Sequence, residues 1–179
     1  MLFWMRITGG KYTNRRIICP KGVIRPAMDR MRESLFSILG DLTGRSFLDL
    51  FSGSGIMGIE AASRGAAPVV CVEKDGKKKN TLKENLKIVD SEAAIVIMSA
   101  EKYLKTAGRT FDIVFLDPPF PYENKQKLLE MADQADILNQ EGLMMMHYPS
   151  EDNIPEKIGR FCRYRIKKYG RSLVGFYRL

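Results

Sequence analysis

Two short stretches of this chain combine residue types that could bind a ligand and act on it. The first is the apolar run Ser46–Leu50, which contains Asp49 and is followed by the turn Gly53-Ser54-Gly55. Because glycine has no Cβ, the backbone of such a turn can approach a small molecule closely. The second is an apolar run that ends in Asp117-Pro118-Pro119-Phe120. The two prolines fix φ and remove two donors, which leaves Asp117 and nearby carbonyls as rigid acceptors for a donating group such as an amine.

Alternating strands and helices are predicted for the part of the chain that carries these stretches. Apolar runs predict strands at about 46–50, 68–73, 93–98, 111–117 and 142–148. The patterns between them predict helices near 56–64, 75–88, 100–106 and 123–138. This alternation is typical of an α/β fold, with a parallel sheet, right-handed crossovers and helices on both faces.

Both ends of the chain are predicted to form β-hairpins. The strands are expected at 6–10 and 15–19 in the first hairpin, and at 161–169 and 172–179 in the second. The second hairpin should lie at one edge of the sheet. Between the first hairpin and the sheet, Met28–Leu39 has the apolar spacing of a helix. We therefore expect a small N-terminal β-hairpin appendage at 1–24 and one larger domain at 25–179.

Charge is distributed unevenly along the 179 residues. Residues 1–45 carry nine Lys/Arg and three Asp/Glu, residues 46–156 carry twelve and eighteen, and residues 157–179 carry eight and none. An acidic central part flanked by basic ends suggests a ligand-handling core whose flanks share a polyanionic partner. The alternative is a basic surface that serves solubility alone.

Four polar side chains are predicted at or just beyond the carboxyl ends of strands, where open parallel sheets bind ligands. They are Asp49, Glu73, Ser99 and Asp117. Glu73 is placed to accept both hydroxyls of a ribose, while Asp49 and the glycine turn would hold the charged remainder of a cofactor. This arrangement favours a nucleoside that bears an amino acid.

A dinucleotide site is the rival interpretation of the same residues. Gly53-Ser54-Gly55-Ile56-Met57-Gly58 matches G-x-G-x-x-G, and Glu73 follows Gly53 by twenty residues. However, Asp49 would repel a pyrophosphate and would attract an amino group. The Asp117–Phe120 motif also has no role in hydride transfer.

Together these motifs resemble a class I methyltransferase dependent on S-adenosylmethionine, of the kind that modifies exocyclic amines. The likeness rests on the segments Asp49–Gly55, Val72–Asp75 and Asp117–Phe120. The segment Arg6–Gly10 and the C-terminal hairpin at Tyr169-Gly170 narrow it to the RsmD family, the 16S rRNA (guanine-N2)-methyltransferases. The resemblance implies a Rossmann-like, seven-stranded, mostly parallel sheet with an antiparallel C-terminal hairpin. It also implies S-adenosylmethionine as cofactor and small-subunit rRNA, or an assembling small ribosomal subunit, as partner.

The resemblance assigns roles to particular residues. Cofactor binding is expected of Asp49, Phe51, Ser52, Gly53, Gly55, Glu73, Lys74, Ser99, Ala100 and Asp117. Catalysis is expected of Asp117, Pro118, Pro119 and Phe120. RNA binding is expected of Arg6, Lys11, Arg15, Arg16, Arg25, Arg30, Arg32, Arg165, Lys167 and Arg171.

The implied chemistry is the activation of a weak nucleophile. An exocyclic amine delocalises its lone pair into the base, but it has two hydrogens to donate. If Asp117 and the Pro118 carbonyl accept them, the nitrogen turns toward the methyl group and its developing charge is stabilised, with no metal required. Phe120 would stack on a base that has left its stem or loop.

Several other features bound the interpretation. His147, the single histidine, follows three methionines on a predicted strand and is interpreted as a structural residue. No stretch suits a membrane span or a signal peptide, so we expect a cytoplasmic protein, and a monomer. Two other functions remain open, namely methylation of another base amine in RNA or DNA, and RNA binding without catalysis.

Overall fold

One large sheet with helices on both faces organises the chain. The computed structural model of the protein describes residues 3–19 and 26–179. The strands are β1 Phe3–Arg6, β2 Arg16–Cys19, β3 Phe47–Asp49, β4 Val69–Glu73, β5 Ala93–Ile97, β6 Phe111–Leu116, β7 Leu138–Pro149, β8 Lys157–Ile158, β9 Phe161–Tyr169 and β10 Ser172–Arg178. The α-helices are α1 Pro26–Leu39, α2 Ile56–Ser63, α3 Lys79–Leu86, α4 Ala100–Thr106 and α5 Lys125–Gln134.

The strand order of the large sheet places its ligand-binding edge. The order is β5-β4-β3-β6-β7-β10-β9-β8, with the pairs from β5 to β7 parallel and the remaining pairs antiparallel. From β3 the chain moves outward to β4 and β5, and it then returns to β6 on the other side of β3. Strand order thus reverses between β3 and β6, where doubly wound sheets bind ligands. The predicted α/β class and mostly parallel sheet are confirmed.

The sheet has eight strands among the described residues, one more than predicted. The additional strand, β8, is two residues long and pairs with the start of β9. The predicted C-terminal hairpin is confirmed, but it is not the outermost element, because β10 lies between β7 and β9 and β8 covers the start of β9. A strand of two residues is too short to show a pattern in the sequence.

Two helix boundaries differ from the prediction. The expected helix at 75–88 is split into a 3₁₀ turn at Gly76–Lys78 and then α3, because the Asp75 side chain accepts from the Lys77 amide and tightens the first turn. The expected helix at 123–138 ends at Gln134, since Asp136 adopts a left-handed φ of 49°. As a consequence β7 begins at Leu138, earlier than predicted.

The N-terminal hairpin is present, with its first strand earlier than expected. β1 ends at Arg6, and residues 7–15 form a loop that packs against the end of α2, where the Lys11 amide donates to the Ser63 carbonyl at 2.7 Å. Ile7, Tyr12 and Ile17 belong to the hydrophobic cluster between the sheet and helices α1 to α3. A second cluster fills the opposite face beneath α4 and α5. The division at residue 24 remains a prediction.

None of the helices in the described part of the chain combines the length and apolarity needed to cross a membrane.

Candidate functional site

A cavity of about 1090 Å³ lies at the carboxyl ends of the parallel strands. Most of the predicted cofactor-binding and catalytic residues line it, together with one predicted RNA-binding residue. They are Phe51, Gly53, Glu73, Lys74, Ser99, Ala100, Asp117, Pro118, Pro119, Phe120 and Arg171. Three predicted cofactor residues, Asp49, Ser52 and Gly55, are buried and do not line it. The strand ends therefore bring two distant stretches of sequence to one cleft.

The glycine turn is shaped by backbone conformations that favour glycine. Gly53 and Gly55 have φ of 54° and 81°, and a Cβ on Gly55 would lie 2.6 Å from the Leu82 Cδ1 atom. The Gly53 amide donates to Glu73 Oε2 at 2.8 Å, and the Asp75 amide donates to Oε1 at the same distance. Glu73 thus links the end of β4 to the turn, and its oxygens keep lone pairs for the hydroxyls of a ligand.

Ser52 and Asn85 support the glycine turn through hydrogen bonds to backbone carbonyls. The Ser52 hydroxyl lies 2.9 Å from the Asp49 carbonyl and 3.1 Å from the Val72 carbonyl, so it joins β3 to β4. The Asn85 side chain donates to the Ser54 carbonyl at 2.8 Å. Ser52 therefore supports the turn through the backbone and does not face the cavity.

Asp49 is a buried carboxyl group without a protein partner. Its side chain is 1% exposed, and neither oxygen has a hydrogen-bond partner among the described residues. Burial, together with the neighbouring charges of Asp117 and Glu73, raises the pKa of Asp49 to about 8. A buried acid next to two others suits a site that receives a cation. These carboxyl groups therefore fit the positively charged amino group at the amino-acid end of the predicted cofactor.

Asp117 is held by a histidine on the neighbouring strand. His147 Nδ1 lies 2.7 Å from Asp117 Oδ1, and His147 Nε2 lies 2.8 Å from the Ser172 hydroxyl. The Phe120 and His147 rings meet edge to face with 5.4 Å between centroids. Asp117 Oδ2 has no hydrogen-bond partner in the described part of the chain. One carboxylate oxygen is thus fixed, and the other remains an acceptor for a ligand.

The loop after Asp117 is anchored by a buried lysine at the start of α5. Lys125 Nζ lies 2.7 Å from the Phe120 carbonyl, 2.7 Å from the Tyr122 carbonyl and 2.7 Å from Asp152 Oδ2. All three ammonium hydrogens therefore have acceptors, although the side chain is only 4% exposed. This contact fixes the backbone that carries the two prolines and Phe120.

The cofactor end of the cavity is closed by α4 and the same loop. Ser99 caps α4, since its hydroxyl accepts from the Lys102 amide at 3.2 Å. The Tyr122 hydroxyl donates to Glu101 Oε1 at 2.5 Å, and its ring meets the Phe51 ring edge to face at 6.0 Å. Both contacts join the loop after Asp117 to the cofactor side of the cleft.

Comparison with known proteins identifies the family. A family model described as "Conserved hypothetical protein 95" matches residues 5–178. The chain is 33% identical to a putative rRNA methyltransferase, YlbH, of Bacillus subtilis over 97% of this chain and 98% of that protein. It is 31% identical to ribosomal RNA small subunit methyltransferase D of Escherichia coli over 97% of this chain and 89% of that protein. The chain belongs to the family that this model describes.

Solved structures of related proteins agree with the family assignment. A putative methyltransferase from Escherichia coli is 31% identical and superposes with a TM-score of 0.89 over 98% of this chain and 97% of that chain. A putative methylase from Haemophilus influenzae is 27% identical, with a TM-score of 0.82 over 98% of both chains. The resemblance to the RsmD family that the motifs indicated is confirmed.

Four of the predicted RNA-binding residues of this RsmD-family chain lie at the cleft or on the adjoining surface of α1 and β9. Lys167 Nζ lies 3.2 Å from the Ser34 hydroxyl on α1, and Arg30 is one turn before Ser34 on the same face. Arg165 is exposed on the same face of β9 as Lys167, and Arg171 lines the cavity. We call Arg30, Arg165, Lys167 and Arg171 the cleft-side cluster.

The basic residues of the N-terminal hairpin form a second group. Arg6, Lys11, Arg15 and Arg16 are exposed, and we call them the hairpin cluster. Lys11 pairs with Asp90, which precedes β5 and therefore lies at the edge of the sheet opposite the cleft. Lys11 is thus separated from the cavity.

Arg32 does not join either cluster. Arg32 is 3% exposed, and its guanidinium donates to Glu60, Asp29 and the Arg6 carbonyl, each at 2.9 Å. A side chain that is buried in this way ties α1 to α2 and to the hairpin, so we omit it from the proposed RNA-binding set. Arg25 lies outside the described residues.

Sequence reasoning missed the residues that hold the loop after Asp117. His147 was interpreted as structural, and Ser172 and Lys125 were not assigned. A signal for His147 was available, because β6 and β7 pair with Leu116 opposite Met146, so the next residues, Asp117 and His147, lie side by side. No comparable signal marks Lys125, since its acceptors are backbone carbonyls whose direction depends on the loop.

Proposed function

We propose that this protein transfers a methyl group from S-adenosylmethionine to the exocyclic N2 amine of a guanine in small-subunit ribosomal RNA. The observation that carries the proposal is the carboxylate of Asp117, with one oxygen bound to His147 and the other open to a ligand at the cavity. The names of the relatives from Bacillus subtilis and Escherichia coli support rRNA as the methyl acceptor. The same family membership favours a methyl donor over a dinucleotide.

The residues at the carboxyl ends of β3 and β4 would hold S-adenosylmethionine. Glu73 would accept hydrogen bonds from the ribose hydroxyls, and Gly53 would let the backbone approach the cofactor closely. Asp49 would attract the positively charged amino group at the amino-acid end. When bound, the cofactor supplies a methyl group made electrophilic by the sulfonium to which it is attached. The protein therefore has to bring a nucleophile to that group in the correct orientation.

Asp117 and the loop that follows it would orient the amine. The Oδ2 atom of Asp117 and the Pro118 carbonyl would each accept one amine hydrogen, which directs the nitrogen lone pair toward the methyl group. As the N–C bond forms and the S–C bond breaks, the carboxylate would also stabilise the positive charge that develops on nitrogen, and the methylated amine would then lose one proton to solvent. Phe120 would stack on the extruded base, a contact worth about 1–3 kcal/mol.

RNA would be bound by the cleft-side cluster. Four cations around a cavity of this kind suit the phosphates that flank an extruded base. The hairpin cluster would contact more distant parts of an rRNA or of an assembling small subunit. A cytoplasmic location and a monomeric state remain predictions.

The direct test is transfer of labelled methyl from S-adenosylmethionine to small-subunit rRNA, offered both as naked RNA and within small subunits, with mass analysis of the digested nucleosides. We expect N2-methylguanosine with the wild-type protein and a large loss of product with Asp117→Asn. N6-methyladenosine, or a product in DNA, would replace the proposed acceptor by another base amine. RNA binding without transfer would indicate a non-catalytic protein.

A further inference from the structure

A chain of hydrogen bonds runs from the reaction loop into the antiparallel half of the sheet. It joins Asp117 Oδ1 to His147 Nδ1 at 2.7 Å, His147 Nε2 to the Ser172 hydroxyl at 2.8 Å, and that hydroxyl to the Tyr169 carbonyl at 3.0 Å. His147 is 3% exposed and Ser172 is 8% exposed. Three strands, β6, β7 and β10, thus contribute to one buried polar network.

The hydrogen bonds of this network hold the ring in one orientation. Because a carboxylate can only accept, His147 Nδ1 carries a hydrogen and donates it to Asp117 Oδ1. The Ser172 hydroxyl lies against the other ring nitrogen, and it also contacts the Tyr169 carbonyl. Rotation of the ring would therefore break both contacts.

The ring has contacts on several sides. Asp117 faces it from β6, and Ser172 faces it from β10. The Phe120 ring meets it edge to face. Arg171 lines the same cavity and is exposed to solvent.

We propose that His147 is a positioning residue, held in place by Ser172, which fixes the Asp117 carboxylate so that Oδ2 meets the amine. This inference rests on the proposed function for its role in methyl transfer. A buried ring with two fixed partners prevents rotation of the carboxylate. His147 itself does not touch the amine.

The contact between His147 and Asp117 can be tested without any substrate. His147 is the single histidine of the chain, so its ring ¹⁵N chemical shifts in a tag-free protein are unambiguous. We expect Nδ1 to carry a hydrogen in the wild type, and the Nδ1 shift to change in Asp117→Asn. A hydrogen on Nε2 alone in the wild type would overturn the inference, whether or not the protein methylates rRNA.

The positioning role is tested by single-turnover transfer with saturating cofactor and rRNA. His147→Leu should lower the rate about tenfold to hundredfold, the usual effect of losing a partner that orients a reacting group. His147→Asn keeps an amide donor near the position of Nδ1, so it should recover most of the rate.

Two outcomes of this experiment count against the inference. One is a wild-type rate in His147→Leu, and the other is an equal loss in His147→Leu and His147→Asn with the same thermal unfolding temperature and cofactor affinity. Failure of the proposed function itself looks different, because the wild-type protein would then transfer no methyl to rRNA while the ¹⁵N result still stands.

Discussion

Asp117 combines two tasks that a single substitution can separate. Its carboxylate would accept a hydrogen bond from the amine, and its charge would stabilise the positive nitrogen in the transition state. Asp117→Asn keeps the size of the side chain and one acceptor oxygen but removes the charge. We therefore expect methyl transfer in a single turnover to fall by about 10² to 10³, with cofactor and RNA affinities nearly unchanged.

Calorimetric titration and RNA binding provide the controls for this substitution. If Asp117→Asn transfers methyl at the wild-type rate, the assignment of the reaction to the Asp117–Phe120 motif is wrong. A loss that appears only as weaker cofactor binding would instead assign Asp117 to the cofactor end of the cavity.

Asp49 predicts a pH dependence of cofactor binding. Because burial, Asp117 and Glu73 raise the pKa of Asp49 to about 8, the group is protonated below that pH. A cationic ligand favours the ionised form, so binding releases the proton. Affinity for S-adenosylmethionine should therefore rise with pH by up to about tenfold per pH unit between about pH 6 and 8, and then level off.

Asp49→Asn is the matched control because the amide cannot ionise. Calorimetry from pH 6 to pH 9 should give this variant an affinity close to that of the wild type at the acid end, and a weaker one at the alkaline end. An equal pH slope in the two proteins would mean that another group is responsible.

At the scale of single residues, the sequence predicted which side chains lie near the site better than it predicted which of them line the cavity. Glu73 and Asp117 were expected at strand ends and do line the cavity, because the ends of parallel strands converge whatever their loops do. Asp49 and Ser52 were expected to face a ligand but are buried, and side-chain direction at a strand end depends on the turn that follows. Pattern alone therefore predicts the location of a site more reliably than its inner surface.

The elements of the fold illustrate the same limit. Alternating strands and helices predict a parallel sheet because each helix carries the chain back to the start of the next strand, and this was confirmed from β3 to β7. The boundaries near Asp75 and Asp136 were misplaced, since one depends on a side-chain cap and the other on a left-handed residue. Such local contacts leave no trace in the hydrophobic period.

Helix α5 positions the reaction loop through Lys125, which gives a prediction at the scale of the element. Lys125→Met fills the same space but leaves two loop carbonyls and Asp152 without their donor. The variant should lose about 2–3 kcal/mol of unfolding free energy, less than for a fully buried pair because Asp152 is partly exposed. It should also transfer methyl more slowly, because Phe120 and Tyr122 are no longer fixed.

Lys127→Met on the same helix is the control, since Lys127 is exposed. Urea unfolding should separate the two variants clearly, and single-turnover rates should follow the same order. If both substitutions have equal effects, Lys125 does not anchor the loop.

The whole molecule divides its positive charge between two surfaces that the charge pattern alone could not separate. Both chain ends are basic, and the sequence predicted one shared partner. The structure places Lys167 against α1 beside the cleft, whereas Lys11 pairs with Asp90 at the opposite edge of the sheet. The two clusters can therefore contribute unequally to binding of the same RNA.

Two variants that each remove three cations test this division. One replaces Arg30, Arg165 and Lys167 with glutamine, and the other replaces Arg6, Arg15 and Arg16. If the cleft-side cluster binds the phosphates around the modified base, the first variant should lose more affinity for small-subunit rRNA, and its salt slope should fall by about two, given a slope of about 0.7 per contact in single strands. The second variant should keep most of the slope, and both should bind S-adenosylmethionine as the wild type does, since neither touches β3 or β4.

Filter binding at several salt concentrations measures the slopes. A larger loss in the second variant would make the hairpin the principal RNA-binding surface, and it would require the RNA to pass around the edge of the sheet to reach Asp117.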